Sequence, residues 1–140
     1  MKEQIPVTHF ATLSDARSHM TDLTDAAMSG RPVSYARDGR QVAAVDADRL
    51  RDALTTLHPA RAEVFQEDGA VGIAISELGL AVEGATYADA LAEMVIALRE
   101  YAADWSDHLL NVPNHANNWG IVQIIALSTE EHLTDWVRAA

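Results

Sequence analysis

The chain has 140 residues, of which 49% are hydrophobic, and its formal net charge at pH 7 is −11. This hydrophobic content is sufficient for a buried core and excludes wholesale disorder, while the lack of cysteine excludes disulfides and thiolate metal sites. No apolar run approaches the roughly 18 residues that span a bilayer, and Met1-Lys2-Glu3-Gln4 lacks the apolar core of a signal peptide, so we expect a cytoplasmic protein with no membrane partner.

The charge is distributed unevenly along the chain. Residues 1–62 carry eight basic and eight acidic side chains, whereas residues 63–140 carry thirteen acidic and two basic ones. The whole net charge therefore belongs to the second part of the chain. Such an asymmetry indicates two parts that have different partners.

The first elements are predicted from apolar spacing and from the residues that begin and end helices. Residues 5–10 are partly β-branched and predict a short strand. Thr12 with Asp15 three positions later has the spacing of a capping box, and it marks a helix start. Apolar residues at helical spacing over 13–27 predict one helix, or two short helices in succession, and Gly30 ends this segment.

A hairpin and a further helix complete the first module. Asp38-Gly39 separates two short apolar runs, 33–36 and 41–45, and this dipeptide favours a hairpin because the turn requires positive φ. Asp46 is placed to cap a helix whose apolar residues continue to Leu57. Residues 1–59 are therefore predicted to form a β-α-α-β-β-α module.

The second module begins with another hairpin, centred on Asp68-Gly69, and a third short strand follows over residues 80–83. Thr86 with Asp89 predicts the start of a longer helix. The segment over 121–127, apolar except for Gln123, is typical of a strand buried on both faces, and Ser128 with Glu131 is expected to cap a last helix. Residues 60–140 are therefore predicted as a small acidic β-β-β-α-β-α domain, which makes the whole chain α+β.

The first module resembles the Phd/YefM antitoxins over about residues 5–57. The resemblance rests on the order and spacing of three segments: Leu13-Ser14-Asp15-Ala16-Arg17, Met28-Ser29-Gly30-Arg31-Pro32-Val33, and Tyr35-Ala36-Arg37-Asp38-Gly39-Arg40-Gln41-Val42-Ala43-Ala44-Val45. It implies an antitoxin that forms a homodimer, binds operator DNA and represses its own operon.

The resemblance also implies DNA-binding residues. Arg17 matches the family's helical arginine that contacts DNA, and Arg37 matches the arginine before the hairpin glycine. We add two further arginines from their positions: Arg40 follows the hairpin glycine, and Arg31 precedes the first strand of the hairpin. Arginine carries a planar fork of donors that can bridge phosphate oxygens or read guanine. Any one of these residues, taken alone, is better explained as a solvated surface charge, and only the family resemblance favours a DNA contact.

The second module departs from shorter Phd/YefM relatives, whose tails fold only on the toxin. It is weakly similar to the HicB antitoxin domain through residues 66–72, 77–80 and 83–91, which include Glu77-Leu78 and Gly84-Ala85-Thr86. The expected partner is a cognate toxin, a RelE-type RNase by family resemblance. RNase surfaces that hold RNA are basic, and an acidic domain complements them. The candidate toxin-binding residues are Glu67, Asp68, Glu77, Trp119 and Trp136.

Enzymatic alternatives have weaker support in the sequence. Asp104 and His108 stand four residues apart, a spacing that metal ligands can use, but no second ligand pair accompanies them. Glu77 with Asp68 could form a carboxylate pair of a nuclease-like site. We expect no catalysis, no metal and no cofactor. Two alternatives stay open: an interaction module that keeps the dimer fold without binding DNA, and a nuclease-like enzyme in residues 60–140.

Overall fold

The computed structural model describes residues 9–139, and it shows a mixed α+β fold. Two three-stranded sheets and seven α-helices are present in this part of the chain. The chain divides into two compact units, Met1–Leu50 and Arg51–Ala140, which we call unit 1 and unit 2. The α+β prediction is confirmed. The assignment of functional modules to residues 1–59 and 60–140 stays a prediction.

Unit 1 contains a small sheet, two short helices and the start of a third helix. Strand β1 runs parallel to β2, and β2 pairs with β3 in an antiparallel hairpin. The elements are β1 (His9–Phe10), α1 (Leu13–Ser18), α2 (Met20–Ser29), β2 (Ser34–Arg37), β3 (Arg40–Ala43) and α3 (Ala47–Leu57), whose first residues belong to this unit. Residues 5–8 of the predicted first strand lie outside the described residues.

Local chemistry explains where the helices of unit 1 begin and end. The Thr12 side chain accepts a hydrogen bond from the backbone N–H of Asp15 at 3.1 Å, as the capping box predicts. The chain leaves helical geometry at His19, with φ −122° and ψ 34°, so that two helices form instead of one. Gly30 ends α2 with φ +84°, a conformation that glycine adopts without steric cost. Asp46 caps α3 through the backbone N–H of Arg49 at 3.1 Å.

Unit 2 consists of an antiparallel sheet in the order β4-β5-β6 and four helices. The long helix α4 packs against β5 and β6, and the later helices α6 and α7 pack against α4. The elements are β4 (Glu63–Glu67), β5 (Ala70–Ile75), β6 (Leu80–Gly84), α4 (Tyr87–Asp104), α5 (Pro113–Ala116), α6 (Trp119–Leu127) and α7 (Glu130–Arg138). A π-helical turn, Trp105–Leu109, extends α4.

The prediction of a buried strand over residues 121–127 was wrong, because this segment is helix α6. Ile121, Val122, Ile124 and Ile125 are all buried, so the apolar run reflects a helix that is covered around most of its circumference. A continuous apolar run has no periodicity that separates a buried strand from a buried helix. The second module is therefore three strands followed by four helices, and not β-β-β-α-β-α.

Two arginines bind the carbonyl groups at the end of α6. Arg99 of α4 donates from Nη1 to the Ile125 carbonyl and from Nη2 to the Ser128 carbonyl, the latter at 2.8 Å. Arg51 Nη1 donates to the Leu127 carbonyl at 3.5 Å. The last carbonyls of a helix lack partners within the helix, and a cation also interacts favourably with the negative end of the helix dipole. These contacts stabilise a helix with no basic residue in its own last turn.

The cap of the last helix is shifted by one residue from the prediction. Thr129, and not Ser128, is the N-cap of α7, and its hydroxyl accepts from the backbone N–H of His132 at 3.1 Å. Ser128 is buried, and its carbonyl receives Arg99. Ser128, which the sequence pattern predicts as the cap of α7, is therefore a partner of Arg99 instead.

Candidate functional site

The predicted DNA-binding arginines occupy exposed positions on unit 1. Arg37 ends β2 and Arg40 begins β3, so both flank a hairpin turn formed by Asp38 and Gly39 with φ of +50° and +75°. Arg17 lies in the last turn of α1. A groove of about 390 Å³ separates the start of α1, residues 11–14, from the hairpin turn, residues 36–39. The structure thus places Arg37 beside the beginning of α1.

Arg31 stands apart from the hairpin arginines, next to an arginine that the sequence did not single out. It follows the glycine that ends α2, and its Nη1 donates to Ser29 Oγ at 3.4 Å. Arg31 and Arg49 line one groove of about 340 Å³ together with Ser34 and Gln41. The Arg49 guanidinium lies over Gly30, where a Cβ would approach its carbon to 2.9 Å. Nothing in the sequence pairs Gly30 with Arg49, which is why this second arginine was missed.

The charged groups of these arginines are largely uncompensated. Arg37 Nε is 3.6 Å from the Asp38 carboxylate, and both side chains are exposed, so water screens this pair and it contributes little stability. Within the described part of unit 1, Arg17, Arg31, Arg40 and Arg49 show no ion pair with a carboxylate. These guanidinium groups are therefore accessible to an anionic ligand.

The predicted toxin-binding residues lie on separate elements of unit 2. Glu67 ends β4, and Asp68 forms the exposed hairpin tip with φ +50°. Glu77 accepts from Arg61 at 3.1 Å. Trp119 begins α6 and is 50% exposed, whereas Trp136 is 6% exposed and its Nε1 donates to the His58 carbonyl at 2.9 Å. Trp136 thus holds α7 in place and presents little surface to a partner.

A polar network lies where α4 continues into the π-helical turn. The hydroxyl of the buried Tyr101 lies 2.9 Å from His115 Nδ1 and accepts a hydrogen bond from Asn118 Nδ2 at 2.8 Å. Trp105 Nε1 donates to the His115 carbonyl at 2.8 Å. These bonds connect α4, α5 and the residue before α6, so the network fixes the helical layer of unit 2.

The residues considered for metal binding do not assemble a ligand set. His108 Nδ1 is 3.1 Å from the Asp107 carboxylate, and Asp104 ends α4. Among residues 9–139, no group of three or more histidine, aspartate or glutamate side chains could hold a metal ion. None of the helices described is long and apolar enough to cross a membrane.

Comparison with known families identifies the class of protein. The chain matches the PHD-like family, described as antitoxin of toxin-antitoxin, RelE/RelB, TA system, over residues 8–135. This match covers most of the 140 residues, and the chain therefore belongs to this antitoxin family. Membership implies a toxin as a partner and indicates a regulatory, non-enzymatic role.

A solved structure shares the fold. It comes from Syntrophomonas wolfei subsp. wolfei and is described as the antitoxin part of a candidate toxin/antitoxin system. The two chains superpose with a TM-score of 0.76 at 19% identity, over 94% of this chain and 96% of the other. No curated protein matches the sequence.

Proposed function

We propose that this antitoxin neutralises a RelE-type RNase toxin by binding it directly, and that it represses its own operon as a homodimer. In this proposal residues 1–59 form the Phd/YefM-like module that dimerises and binds operator DNA, and residues 60–140 bind the toxin. The observation that carries the proposal is the separation of charge between the two parts: exposed arginines in unit 1, of which Arg17, Arg31 and Arg40 have no carboxylate ion pair among the described residues, and a strong acidic excess in unit 2.

The DNA-binding role is assigned to exposed arginines of unit 1, namely Arg17, Arg37, Arg40 and Arg31. Residues 1–62 are electrically neutral overall, so a general basic field does not supply the affinity. Binding instead depends on a few placed guanidinium groups, each able to contact two phosphate oxygens or a guanine edge. A dimer doubles this set of contacts.

Electrophoretic mobility shift with the DNA upstream of the antitoxin's own gene tests this role. Arg17→Ala and Arg37→Ala should each weaken binding by full-length protein and reduce its salt slope by about one, because each contact with a phosphate releases counterions. Arg138→Ala, in unit 2, is the matched control and should bind like the wild type. Unchanged DNA binding by Arg17→Ala would show that Arg17 does not contact the DNA. If the wild-type chain shifts no DNA, the protein is instead an interaction module with the dimer fold alone.

The homodimer is supported by the small core of unit 1. Its described residues bury a core of five side chains, two of them alanine: Phe10, Ala16, Leu23, Ala26 and Val33. Several large apolar side chains of the same unit stay exposed: Met20, Met28, Val42 and Val45. A unit of this size is marginally stable alone, and a second copy supplies additional apolar burial. Analytical ultracentrifugation should give twice the 15.2 kDa chain mass, whereas a monomer at micromolar concentration contradicts the proposal.

The toxin-binding role rests on the acidity of unit 2. Complementary charge between an acidic surface and a basic RNase accelerates association and excludes wrong partners. Glu67, Asp68 and Trp119 are exposed and can contact a toxin directly; Glu77 contributes through its pair with Arg61.

Co-expression tests this role. The protein encoded by the adjacent open reading frame should be toxic alone and harmless with the full-length chain. Trp119→Ala should weaken the complex, whereas Leu57→Ala, which truncates another exposed apolar side chain, should not. Toxicity that persists despite soluble, folded antitoxin would contradict neutralisation by direct binding.

A further inference from the structure

The sheet of unit 2 has one face that α4 covers at β5 and β6, and one open face. Ile73 and Ile75 are fully buried beneath α4. Because successive side chains of a strand alternate between faces, Gly72 and Ala74 belong to the opposite face. The backbone contact at Gly84 confirms this orientation: a Cβ there would lie 2.5 Å from the Ala90 nitrogen of α4. Gly84 pairs with Val71, on the covered face.

Strand register determines which side chains share the open face. Phe65 pairs with Gly72, which in turn pairs with Glu83, and Glu63 belongs to the row of Ala74 and Ala81. Cross-strand partners point to the same face. We call the exposed residues of this set the open sheet face: Glu63, Phe65, Glu67, Ala81 and Glu83.

An aromatic ring forms the centre of the open sheet face. The Phe65 ring lies directly on Gly72, where a Cβ would come within 2.2 Å of it, and 36% of Phe65 is exposed. Strand geometry puts Glu63 and Glu67 about 7 Å from Phe65 along β4, and Glu83 about 10 Å away across two strands. Within the described residues none of these three carboxylates has an ion pair. An apolar centre with a polar rim is the usual anatomy of a protein interface.

On this basis we propose that the open sheet face is a docking surface for the toxin, in which the toxin presents arginine or lysine side chains around an apolar or guanidinium group seated on Phe65. This assignment rests on the proposed function. An arginine can stack on the ring as a cation–π contact and form bidentate bonds with a neighbouring carboxylate. The open sheet face contains one predicted toxin-binding residue, Glu67. It adds three candidates that the sequence did not single out: Glu63, Phe65 and Glu83.

Other occupants fit this surface less well. A second copy of the chain, docked face to face, would bring two sets of unpaired glutamates together, and like charges in an interface oppose association. Nucleic acid is repelled by the same carboxylates. A metal ion lacks a site, since no suitable group of three ligands exists among residues 9–139. A basic protein surface can pair with the glutamates and also cover the exposed Phe65 ring.

The test measures binding of full-length antitoxin variants to the protein encoded by the adjacent open reading frame. The face variant combines Glu63→Gln, Glu67→Gln and Glu83→Gln. The matched control combines Glu93→Gln, Glu100→Gln and Glu131→Gln, which removes the same charge from exposed positions on α4 and α7. A second variant, Ala81→Arg, adds bulk and positive charge to the face and removes no side-chain contact beyond one methyl group.

We expect the face variant to raise Kd at least tenfold at low salt, mainly through slower association, and Ala81→Arg to do the same. The control should change Kd less than threefold. The docking surface is overturned, while neutralisation stays intact, if the face variant and Ala81→Arg both bind with wild-type affinity. The same holds if the face variant and the control variant lose affinity equally. A wild-type chain that does not bind overturns the proposed function itself. A dimer that dissociates in the face variant, with toxin affinity unchanged, assigns the surface to a second copy instead.

Discussion

Arg99 is the side chain whose removal should most clearly destabilise unit 2 without touching its apolar core. It reaches from α4 to the carbonyls of Ile125 and Ser128, at the end of a helix whose sequence is almost wholly apolar. Arg99→Ala leaves these carbonyls without their charged donor. Arg99→Lys keeps the charge but replaces a planar fork by a compact ammonium group, which does not reproduce both bonds.

The magnitude follows from two charge-assisted hydrogen bonds, each worth about 1.5–3 kcal/mol. Because part of Arg99 contacts water, the lower value is appropriate, and Arg99→Ala should reduce the free energy of unfolding by about 3 kcal/mol. Arg99→Lys should lose about half of that amount. Arg138→Ala is the matched control: its exposed partner Asp135 lies 3.9 Å away, and such a pair contributes at most about 1 kcal/mol.

Urea denaturation followed by tryptophan fluorescence isolates this effect. All three tryptophans of the chain, Trp105, Trp119 and Trp136, belong to unit 2, so their emission reports unfolding of that unit. With a slope of about 1.5 kcal/mol per molar urea, Arg99→Ala should lower the midpoint by about 2 M. A midpoint lowered no more than in Arg138→Ala would refute the role of Arg99 at the end of α6.

Three further substitutions test the packing of unit 2, each by urea denaturation under the same conditions. Gly84→Ala should destabilise it by at least about 2 kcal/mol, because the new Cβ would lie 2.5 Å from the Ala90 backbone nitrogen, and an unchanged midpoint would contradict this close approach. Tyr101→Phe should cost about 1–2 kcal/mol by unpairing two half-buried polar partners, whereas Tyr87→Phe, the control, should be near neutral. Thr86→Ala should cost about 1 kcal/mol through loss of the α4 cap, and Thr86→Ser should restore most of it.

Short-range chemistry explains the elements that the sequence predicted well. Thr12, Asp46 and Thr86 cap the helices that they were expected to cap, because a side-chain oxygen needs only the next three residues to accept a backbone N–H. Both Asp-Gly pairs form hairpin turns with positive φ at each residue. These features depend on neighbours in the chain, and the sequence contains that information.

The candidate site was predictable only in part. The arginines of unit 1 could be named from a family pattern. That Arg31 and Arg49 line the same groove could not be predicted, because the Arg49 guanidinium lies over Gly30, which is nineteen positions earlier in the chain and leaves room for it by having no Cβ. Tryptophan is a residue type that is common in protein interfaces, yet the Trp136 side chain is buried and its Nε1 donates to the carbonyl of His58, just after α3. Phe65 and Glu83 became neighbours only through strand register.

The sequence by itself determined the α+β class, the two Asp-Gly hairpins and the concentration of acidic charge beyond residue 62. These properties follow from local backbone preferences and from composition. Only the tertiary structure decided that residues 121–127 are helical, since an almost wholly apolar segment can be buried as a strand or as a helix. The buried helix is selected because α4 covers it and Arg99 binds its last carbonyls, contacts that join residues far apart in the chain. The same packing puts α4 on one face of the sheet and exposes Phe65 and its glutamates on the other.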